Sequence, residues 1–181
     1  SCLIDNAGTA QTLSLLAAEN DLELKVFIDL NTGMNRTGIK LQDAMELFDA
    51  VAAMPNIQVT GVHGYDGHIR DTDVQQRKQK TDTAYQEVLT LAEEIESRTN
   101  QSLTIVAGGS PTFPIHARRM NAECSPGTFI FWDWGYKHQM PDEPSSGTSI
   151  PASSGGRPTQ LASPRAHNPV GSVSPVGLAD T

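Results

Sequence analysis

The chain has 181 residues with 13 basic and 21 acidic side chains, so its formal net charge is -8 and its pI is near 5.0. An acidic chain without a lysine and arginine block lacks the charge pattern of a nucleic-acid binder, and no apolar run approaches the roughly 20 residues of a membrane helix. Cys2 and Cys124 are too few for a disulfide framework, and the first residues do not read as a signal peptide. The sequence therefore predicts a cytoplasmic protein without nucleic-acid or membrane partners, in the class of small-molecule enzymes or parts of them.

The composition changes sharply along the chain. In residues 141–181, 20 of 41 positions are serine, proline or glycine, and none is aromatic. Such a segment buries too little apolar surface to offset its chain entropy. The sequence predicts a folded domain over residues 1–140 and a disordered tail over residues 141–181. Whether that tail is a native segment, a linker or an out-of-frame translation stays open.

Residues 1–140 alternate between short apolar strands and amphipathic helices. The hydrophobic periodicity predicts strands over residues 1–5, 24–30, 57–62, 103–107 and 128–131, and helices over residues 9–19, 41–54, 72–98 and 111–120. This alternation predicts parallel strands with crossover helices, either in a barrel or in a doubly wound sheet. A full (β/α)8 barrel takes roughly 250 residues. The chain begins inside an element and holds about five β/α units, so we expect a fragment of a barrel.

The loops after the second and third predicted strands are rich in residues that carry chemistry. Arg36 lies between two glycines, where its guanidinium can meet an anion or a phenolate oxygen. The next loop brings His63, Tyr65, Asp66 and His68 within six residues. These side chains can bind a metal or transfer protons. Ligand-binding groups of parallel α/β folds lie in such loops.

Two later turns have the composition of phosphate-binding turns. Glycine amides and hydroxyl groups at a helix start form an anion cradle, because unpaired N–H groups point outward there. The positions with this chemistry are Gly108, Gly109, Ser110 and Thr112 in the first turn and Gly127 and Thr128 in the second. Neither turn has the lysine of a nucleoside triphosphate loop. The pair of turns, with Arg36 and Tyr65, points to one phosphorylated organic cofactor.

The segments 26–39, 61–68, 107–113 and 123–133 resemble, in this order, the motifs of the D-threonine aldolase and D-serine dehydratase family. These are fold-type III pyridoxal 5'-phosphate enzymes related to alanine racemase. The resemblance covers residues 1 to about 140 and implies a partial (β/α)8 TIM barrel of the alanine racemase N-terminal type. Ser125 stands where the racemase pattern has an arginine before its Pro-Gly turn. This departure favours the aldolase and dehydratase branch.

The resemblance implies a role for each matching residue. Arg36 would contact the cofactor near its phenolic oxygen, and Tyr65 would lie by the pyridine nitrogen. The cofactor phosphate would be held by Gly108, Gly109, Ser110, Thr112, Gly127 and Thr128. Glycines suit that role because they let the backbone approach a dianion closely.

Two parts of the family pattern are not matched. The Schiff-base lysine of the family would lie upstream of this sequence, and no lysine present occupies a matching motif: Lys25, Lys40, Lys78, Lys80 and Lys137. Neither His138 nor His167 matches the metal pair of the family's C-terminal domain. The resemblance implies a homodimeric parent enzyme with pyridoxal 5'-phosphate and a divalent metal (Mn, Mg or Zn), which cleaves or dehydrates a β-hydroxy D-amino acid. We expect the 181-residue chain by itself to be inactive.

Three other functions stay open on the sequence. One is an amino-acid racemase of the alanine racemase type, and another is a non-catalytic module that binds pyridoxal phosphate without a lysine. The third is a metal-dependent barrel enzyme that uses His63, Asp66 and His68. Metal analysis and visible absorbance of the purified protein would separate these classes.

Overall fold

A parallel β-sheet forms the centre of residues 1–127, which are the residues described in a computed structural model. The predicted tail over 141–181 and the predicted strand over 128–131 lie outside the described residues. Thr128 also lies outside them, so its predicted contact with a phosphate has no structural account here.

The strands and helices alternate along the chain. The strands are β1 (Cys2–Ile4), β2 (Leu24–Asn31), β3 (Ile39–Lys40), β4 (Ile57–Gly64), β5 (Thr104–Ala107) and β6 (Glu123–Cys124). The helices are α1 (Ala7–Glu19), α2 (Leu41–Ala52), α3 (Val74–Thr99) and α4 (Phe113–His116). All paired strands are parallel, in the order β1-β2-β4-β5-β6, and β3 adds a short pairing at the end of β2.

Polar residues at the helix ends fix where the helices begin and stop. The Asn6 side chain accepts a hydrogen bond from the Thr9 amide at 2.8 Å and so caps α1. Asp73 caps α3 in the same way through the Gln76 amide at 2.7 Å. Asn100, at a φ of 53°, ends α3 in the left-handed conformation that asparagine tolerates.

The three long helices pack against one face of the sheet. Side chains alternate across a strand, so Val26, Ile28 and Leu30 of β2 share a face, and all three are buried. They form one core with residues of α1, α2 and α3. A doubly wound sheet carries helices on both faces, whereas a barrel carries them only on the outside. Strands in sequential order with one helical face therefore confirm the predicted partial barrel arrangement.

The apolar residues of α1 at helical spacing predict one buried stripe of Ala10, Leu13, Leu16 and Ala17. Leu16 departs from it, since it is 49% exposed. The buried positions are Ala10, Ser14 and Ala17. Ser14 takes a place in the core because its hydroxyl donates a hydrogen bond to the Pro55 carbonyl at 2.5 Å. A polar side chain with a satisfied partner thus replaces the leucine on the inner face.

A shift in strand register sets which side chains of β2 and β4 lie opposite each other. The register is regular up to Val26, which pairs with Val59, and then skips one residue so that Phe27 pairs with Gly61. A side chain at Gly61 would collide with the Phe27 ring and the Thr104 carbonyl. After the shift, Asp29 lies opposite His63.

Within residues 1–127, the helices are all too short or too polar to cross a membrane.

Candidate active site

Three loops, after β2, β4 and β5, meet at the carboxyl edge of the sheet. The Arg36 guanidinium, in the loop after β2, lies 5.1 Å from the centre of the Tyr65 ring, in the loop after β4. This distance is within the range of a cation–π contact. The backbone of Gly109, after β5, lies against the Tyr65 ring and Gly67, and a Cβ at Gly109 would be 2.7 Å from the Gly67 Cα. The geometry thus brings Arg36, Tyr65 and Gly109 together at this edge.

The turn after β5 is bound to β4 from its first residue. The Gly108 amide donates a hydrogen bond to the Gly64 carbonyl at 3.1 Å. Gly108 has a φ of 97°, a conformation that L side chains rarely adopt, and a Cβ there would be 2.8 Å from the His116 ring. Glycine is needed at this position both for its conformation and for the space beside it.

A buried carboxylate holds this turn together. Asp66 is 3% exposed. Its Oδ1 accepts hydrogen bonds from the Gly109 amide at 2.8 Å and from the Thr112 hydroxyl at 2.5 Å. Its Oδ2 lies 2.8 Å from His116 Nε2, which is also buried. One side chain of the loop after β4 thus organises the loop after β5.

The Asp66 carboxyl group is an anion over the ordinary pH range. Burial by itself raises the pKa of Asp66, but the hydrogen bond and charge of His116 lower it, as do the Thr112 and Gly109 hydrogen bonds. The net pKa of Asp66 lies below its ordinary value of 3.8. Two of the predicted phosphate-binding groups, the Gly109 amide and the Thr112 hydroxyl, therefore already serve an internal anion.

A second acid–histidine pair lies on the other side of the site. His63 Nδ1 is 2.6 Å from Asp29 Oδ1, and the two side chains are 14% and 9% exposed. The other ring nitrogen of His63, Nε2, lies 3.5 Å from the Ser125 hydroxyl, just after β6. The two ring nitrogens thus face polar atoms, one on β2 and one just after β6.

The three side chains that were considered as a metal site have different neighbours. His63 contacts Asp29, whereas Asp66 contacts His116. His68 is exposed and its ring lies beside Gly33. Among residues 1–127, no three histidine, cysteine, aspartate or glutamate side chains are grouped so that they could hold a metal ion.

The lysines of the described residues lie in other parts of the fold. Lys78 and Lys80 form ion pairs with Asp82 and Asp71 on and before α3. Lys25 is the second residue of β2, at the amino end of that strand, and Lys40 directly precedes α2. Lys137 lies outside the described residues.

Two members of the site were not singled out from the sequence. Asp29 was assigned only to a strand, although an acidic residue inside an apolar strand is a signal for a functional side chain. His116 was assigned to a short helix, and no sequence signal links it to Asp66, since they lie 50 positions apart.

The fold defines a partial β/α barrel with a cluster of polar side chains at the carboxyl edge of its sheet. The family model for the alanine racemase N-terminal domain matches residues 1–133. The chain belongs to this family, the barrel of the fold-type III pyridoxal phosphate enzymes. The resemblance inferred from the four sequence motifs is therefore confirmed.

The chain is similar to several proteins of known sequence or structure. It is 26% identical over 136 residues to 3-hydroxy-D-aspartate aldolase of Paracoccus denitrificans, which covers 74% of this chain and 35% of the relative. The structure of D-threonine aldolase from Filomicrobium marinum superimposes with a TM-score of 0.70 at 21% identity, over 83% of this chain and 41% of that one. The structure of D-threo-3-hydroxyaspartate dehydratase from Delftia sp. HT23 superimposes with a TM-score of 0.62 at 19% identity. The match covers 76% of this chain and 37% of that one. The chain thus spans about a third of the length of the curated aldolase.

Proposed function

We propose that this chain forms the cofactor-binding barrel of a pyridoxal 5'-phosphate-dependent lyase that cleaves or dehydrates β-hydroxy D-amino acids. The observation that carries the proposal is the meeting of the loops after β2, β4 and β5, with Arg36 over Tyr65 and Gly109 against both Tyr65 and Gly67. Barrel enzymes bind their ligands at this edge. The names of the aldolase and dehydratase relatives support the substrate class.

The Arg36–Tyr65 pair fits the ring of the cofactor. Arg36 is exposed, so its guanidinium is accessible to the phenolic oxygen of the cofactor. Tyr65 is partly buried beneath it and supplies a hydroxyl for the pyridine nitrogen. A neutral hydroxyl at that nitrogen leaves it less firmly protonated than an arginine pairing would, which tunes the cofactor's chemistry.

The residues of the two glycine turns have different proposed roles toward the phosphate. Gly109 and Thr112 are engaged by Asp66, and Ser110 in the same turn is buried. We therefore assign to these three residues the shape of the turn against which the phosphate would lie. Gly127 is the last described residue, and its backbone amide is proposed to add to the phosphate contact. Thr128 would complete this contact. Gly108 contributes the tight turn that brings the backbone close.

The bound cofactor supplies an electron sink for the bonds at the amino acid's Cα. In this proposal the residues of the chain bind and orient it: Arg36 and Tyr65 hold the ring, and the turns hold the phosphate. The Schiff-base lysine, the divalent metal and the partner subunit of a homodimer belong to the parent enzyme rather than to residues 1–140. The cytoplasm, where free thiols such as Cys2 and Cys124 persist, is the proposed compartment.

Cofactor binding to the 181-residue chain tests the proposal. Pyridoxal phosphate is titrated in equilibrium dialysis against the wild-type chain, Arg36→Gln and the control Arg98→Gln, which changes an exposed arginine of α3. We expect Arg36→Gln to weaken binding about tenfold, the effect of one lost charged hydrogen bond, and Arg98→Gln to leave it unchanged. Equal binding by all three proteins contradicts the assigned site.

Turnover by the parent enzyme tests the reaction. D-threonine, D-serine and D-3-hydroxyaspartate are offered with L-threonine and D-alanine as comparison substrates. The proposal predicts an aldehyde or oxo-acid product from at least one of the β-hydroxy D-amino acids. Interconversion of the alanine enantiomers without lyase activity would make the protein a racemase instead.

A further inference from the structure

The Asp29–His63 pair lies on the face of the sheet away from the helices. Ile28 and Leu30 flank Asp29 and point into the helix-packed core, so Asp29 leaves β2 on the opposite side. The strand register sets Asp29 directly opposite His63 on β4. In a closed barrel this face is the interior, and its carboxyl end is where the substrate lies. The pair is therefore placed to act on a bound molecule.

The two nitrogens of the His63 ring have unequal partners. Nδ1 lies 2.6 Å from a carboxylate oxygen of Asp29, a short contact in which the ring donates the hydrogen. Nε2 lies 3.5 Å from the Ser125 hydroxyl, at the limit of a hydrogen bond. A neutral imidazole carries one hydrogen, so a hydrogen on Nδ1 leaves the lone pair on Nε2. The carboxylate thus directs the basic nitrogen of His63 toward the end of β6.

The His63 side chain is mostly buried among its neighbours in the sheet. His63 pairs in register with Val106 on β5, an apolar neighbour. Asp29 from β2 is the charged group in contact with the ring, and Ser125 from the segment after β6 is the hydroxyl beside it. A histidine oriented by a carboxylate, with its second nitrogen near a hydroxyl, has the arrangement of a general base.

We propose that His63 is a catalytic proton acceptor of the site, with Asp29 as its positioning residue, and that it acts on the β-hydroxyl group of the substrate. The proposal rests on the function proposed above. This role serves aldol cleavage: the O–H bond of the substrate breaks as an N–H bond forms at Nε2, and the electron pair on oxygen becomes the second C–O bond of the product aldehyde. The Cα–Cβ bond breaks with its electron pair left on Cα. The imidazolium is stabilised by the Asp29 carboxylate, and its proton then passes to Cα, which restores the neutral ring.

Nitrogen-15 NMR of histidine tests the dyad without cofactor or turnover. The 181-residue chain is labelled at histidine, and the His63 resonances are assigned by their loss in His63→Gln. We expect neutral His63 to carry its hydrogen on Nδ1. In Asp29→Asn the amide group donates to Nδ1, so the hydrogen moves to Nε2. A wild-type ring protonated on Nε2, or the same tautomer in both proteins, would overturn the proposal.

Kinetics of the parent holoenzyme test the role of the dyad in the reaction. We expect His63→Gln to lower kcat for the β-hydroxy D-amino acid at least about 100-fold, with KM and cofactor binding little changed. Asp29→Asn lowers kcat with the tautomer change seen by NMR. The control Arg98→Gln, which changes an exposed arginine of α3, retains full activity. Unchanged kcat in His63→Gln overturns the proposal while leaving the lyase function intact, whereas a wild-type enzyme without cofactor binding refutes the proposed function and, with it, the substrate step.

Discussion

Asp66 connects two loops that lie 43 positions apart in the chain. Its carboxylate is the shared acceptor for an amide, a hydroxyl and an imidazole, all of them buried. A buried charge is tolerated only when such partners replace its hydration. The shape of the proposed phosphate turn therefore depends on a residue outside that turn.

Removal of this carboxylate is expected to destabilise the domain strongly. Asp66→Ala leaves the buried His116 Nε2 without its acceptor, and it leaves the Gly109 amide and the Thr112 hydroxyl with only their contacts inside the turn. The loss costs about 3 kcal/mol of the free energy of unfolding. Asp71→Asn, the control, breaks an exposed ion pair with Lys80 and costs less than about 1 kcal/mol. Urea unfolding followed by circular dichroism measures both. Equal losses in the two variants would show that Asp66 does not hold the turn.

The pH dependence of stability follows from the direction of the Asp66 pKa shift. The folded-state pKa lies below the unfolded value of 3.8, so the stabilisation is complete above about pH 4 and is lost as the pH falls through the folded-state pKa. We expect the unfolding free energy of the wild type to fall more steeply below about pH 4 than that of Asp66→Asn. Parallel pH curves for the two proteins would contradict the assignment of the charged form.

The sequence identified the individual side chains of the site better than their partners. Arg36, Tyr65 and the glycine turn lie together because parallel strands end at one edge, a rule that sequence patterns support. The Asp66–His116 and Asp29–His63 pairs depend on register and loop path across 50 and 34 positions. Those distances between side chains are set by tertiary packing, which periodicity does not encode.

At the level of elements, the pairing of β4 with β2 on one side and with β5 on the other places the Asp29–His63 pair. The register shift beside Gly61 lets the Phe27 ring lie over a position without a side chain. Even a methyl group at Gly61 would meet the Thr104 carbonyl of β5, a backbone atom that cannot turn away.

Gly61→Ala is expected to lower the free energy of unfolding by about 1–3 kcal/mol, because the strands must separate to admit the methyl group. Gly8→Ala is the matched control in α1, where the nearest atom to the new Cβ is Asn6 Oδ1 at 3.4 Å. It should be neutral or stabilising by up to about 1 kcal/mol, since alanine favours a helix. Thermal unfolding of both variants and of the wild type measures these changes in stability. A stable Gly61→Ala protein would refute the close packing of β4.

The long elements were predictable and the shortest ones were not. Helices α1, α2 and α3 and strands β2, β4 and β5 were predicted to within a few residues, because hydrophobic periodicity is clear over such lengths. Strands β3 and β6 have two residues each, too few to show a period. In the first half of α3, the buried residues include Arg77 and Thr81. The inner face there is polar, so hydrophobic periodicity does not reveal it.

At the scale of the whole molecule, this chain is proposed to supply the residues that bind the cofactor but not the lysine that reacts with it. Lys78 and Lys80 are held in ion pairs, and neither Lys25 nor Lys40 follows a strand in a family motif. A covalent internal imine requires an amine fixed at the cofactor's aldehyde. The chain is therefore proposed to bind the cofactor without forming a specific covalent bond.

Borohydride reduction tests this separation. The purified 181-residue chain is mixed with pyridoxal phosphate and reduced, and labelled lysines are mapped by mass spectrometry. We expect scattered labelling well below one equivalent and no turnover of D-threonine or D-serine. Stoichiometric labelling of a single lysine together with turnover would place the reacting group inside this chain.

Amide NMR of the 181-residue chain with pyridoxine 5'-phosphate tests the proposed cofactor site most directly, because this analogue has no aldehyde and cannot react with lysines. The proposal predicts shifts that saturate together and are confined to the carboxyl edge, at Arg36, Tyr65, Gly109, Ser110 and Gly127. Pyridoxine without the phosphate should produce much weaker shifts at the same positions. Shifts scattered over the surface, or equal responses to the two compounds, would contradict a phosphate-anchored cofactor site at this edge.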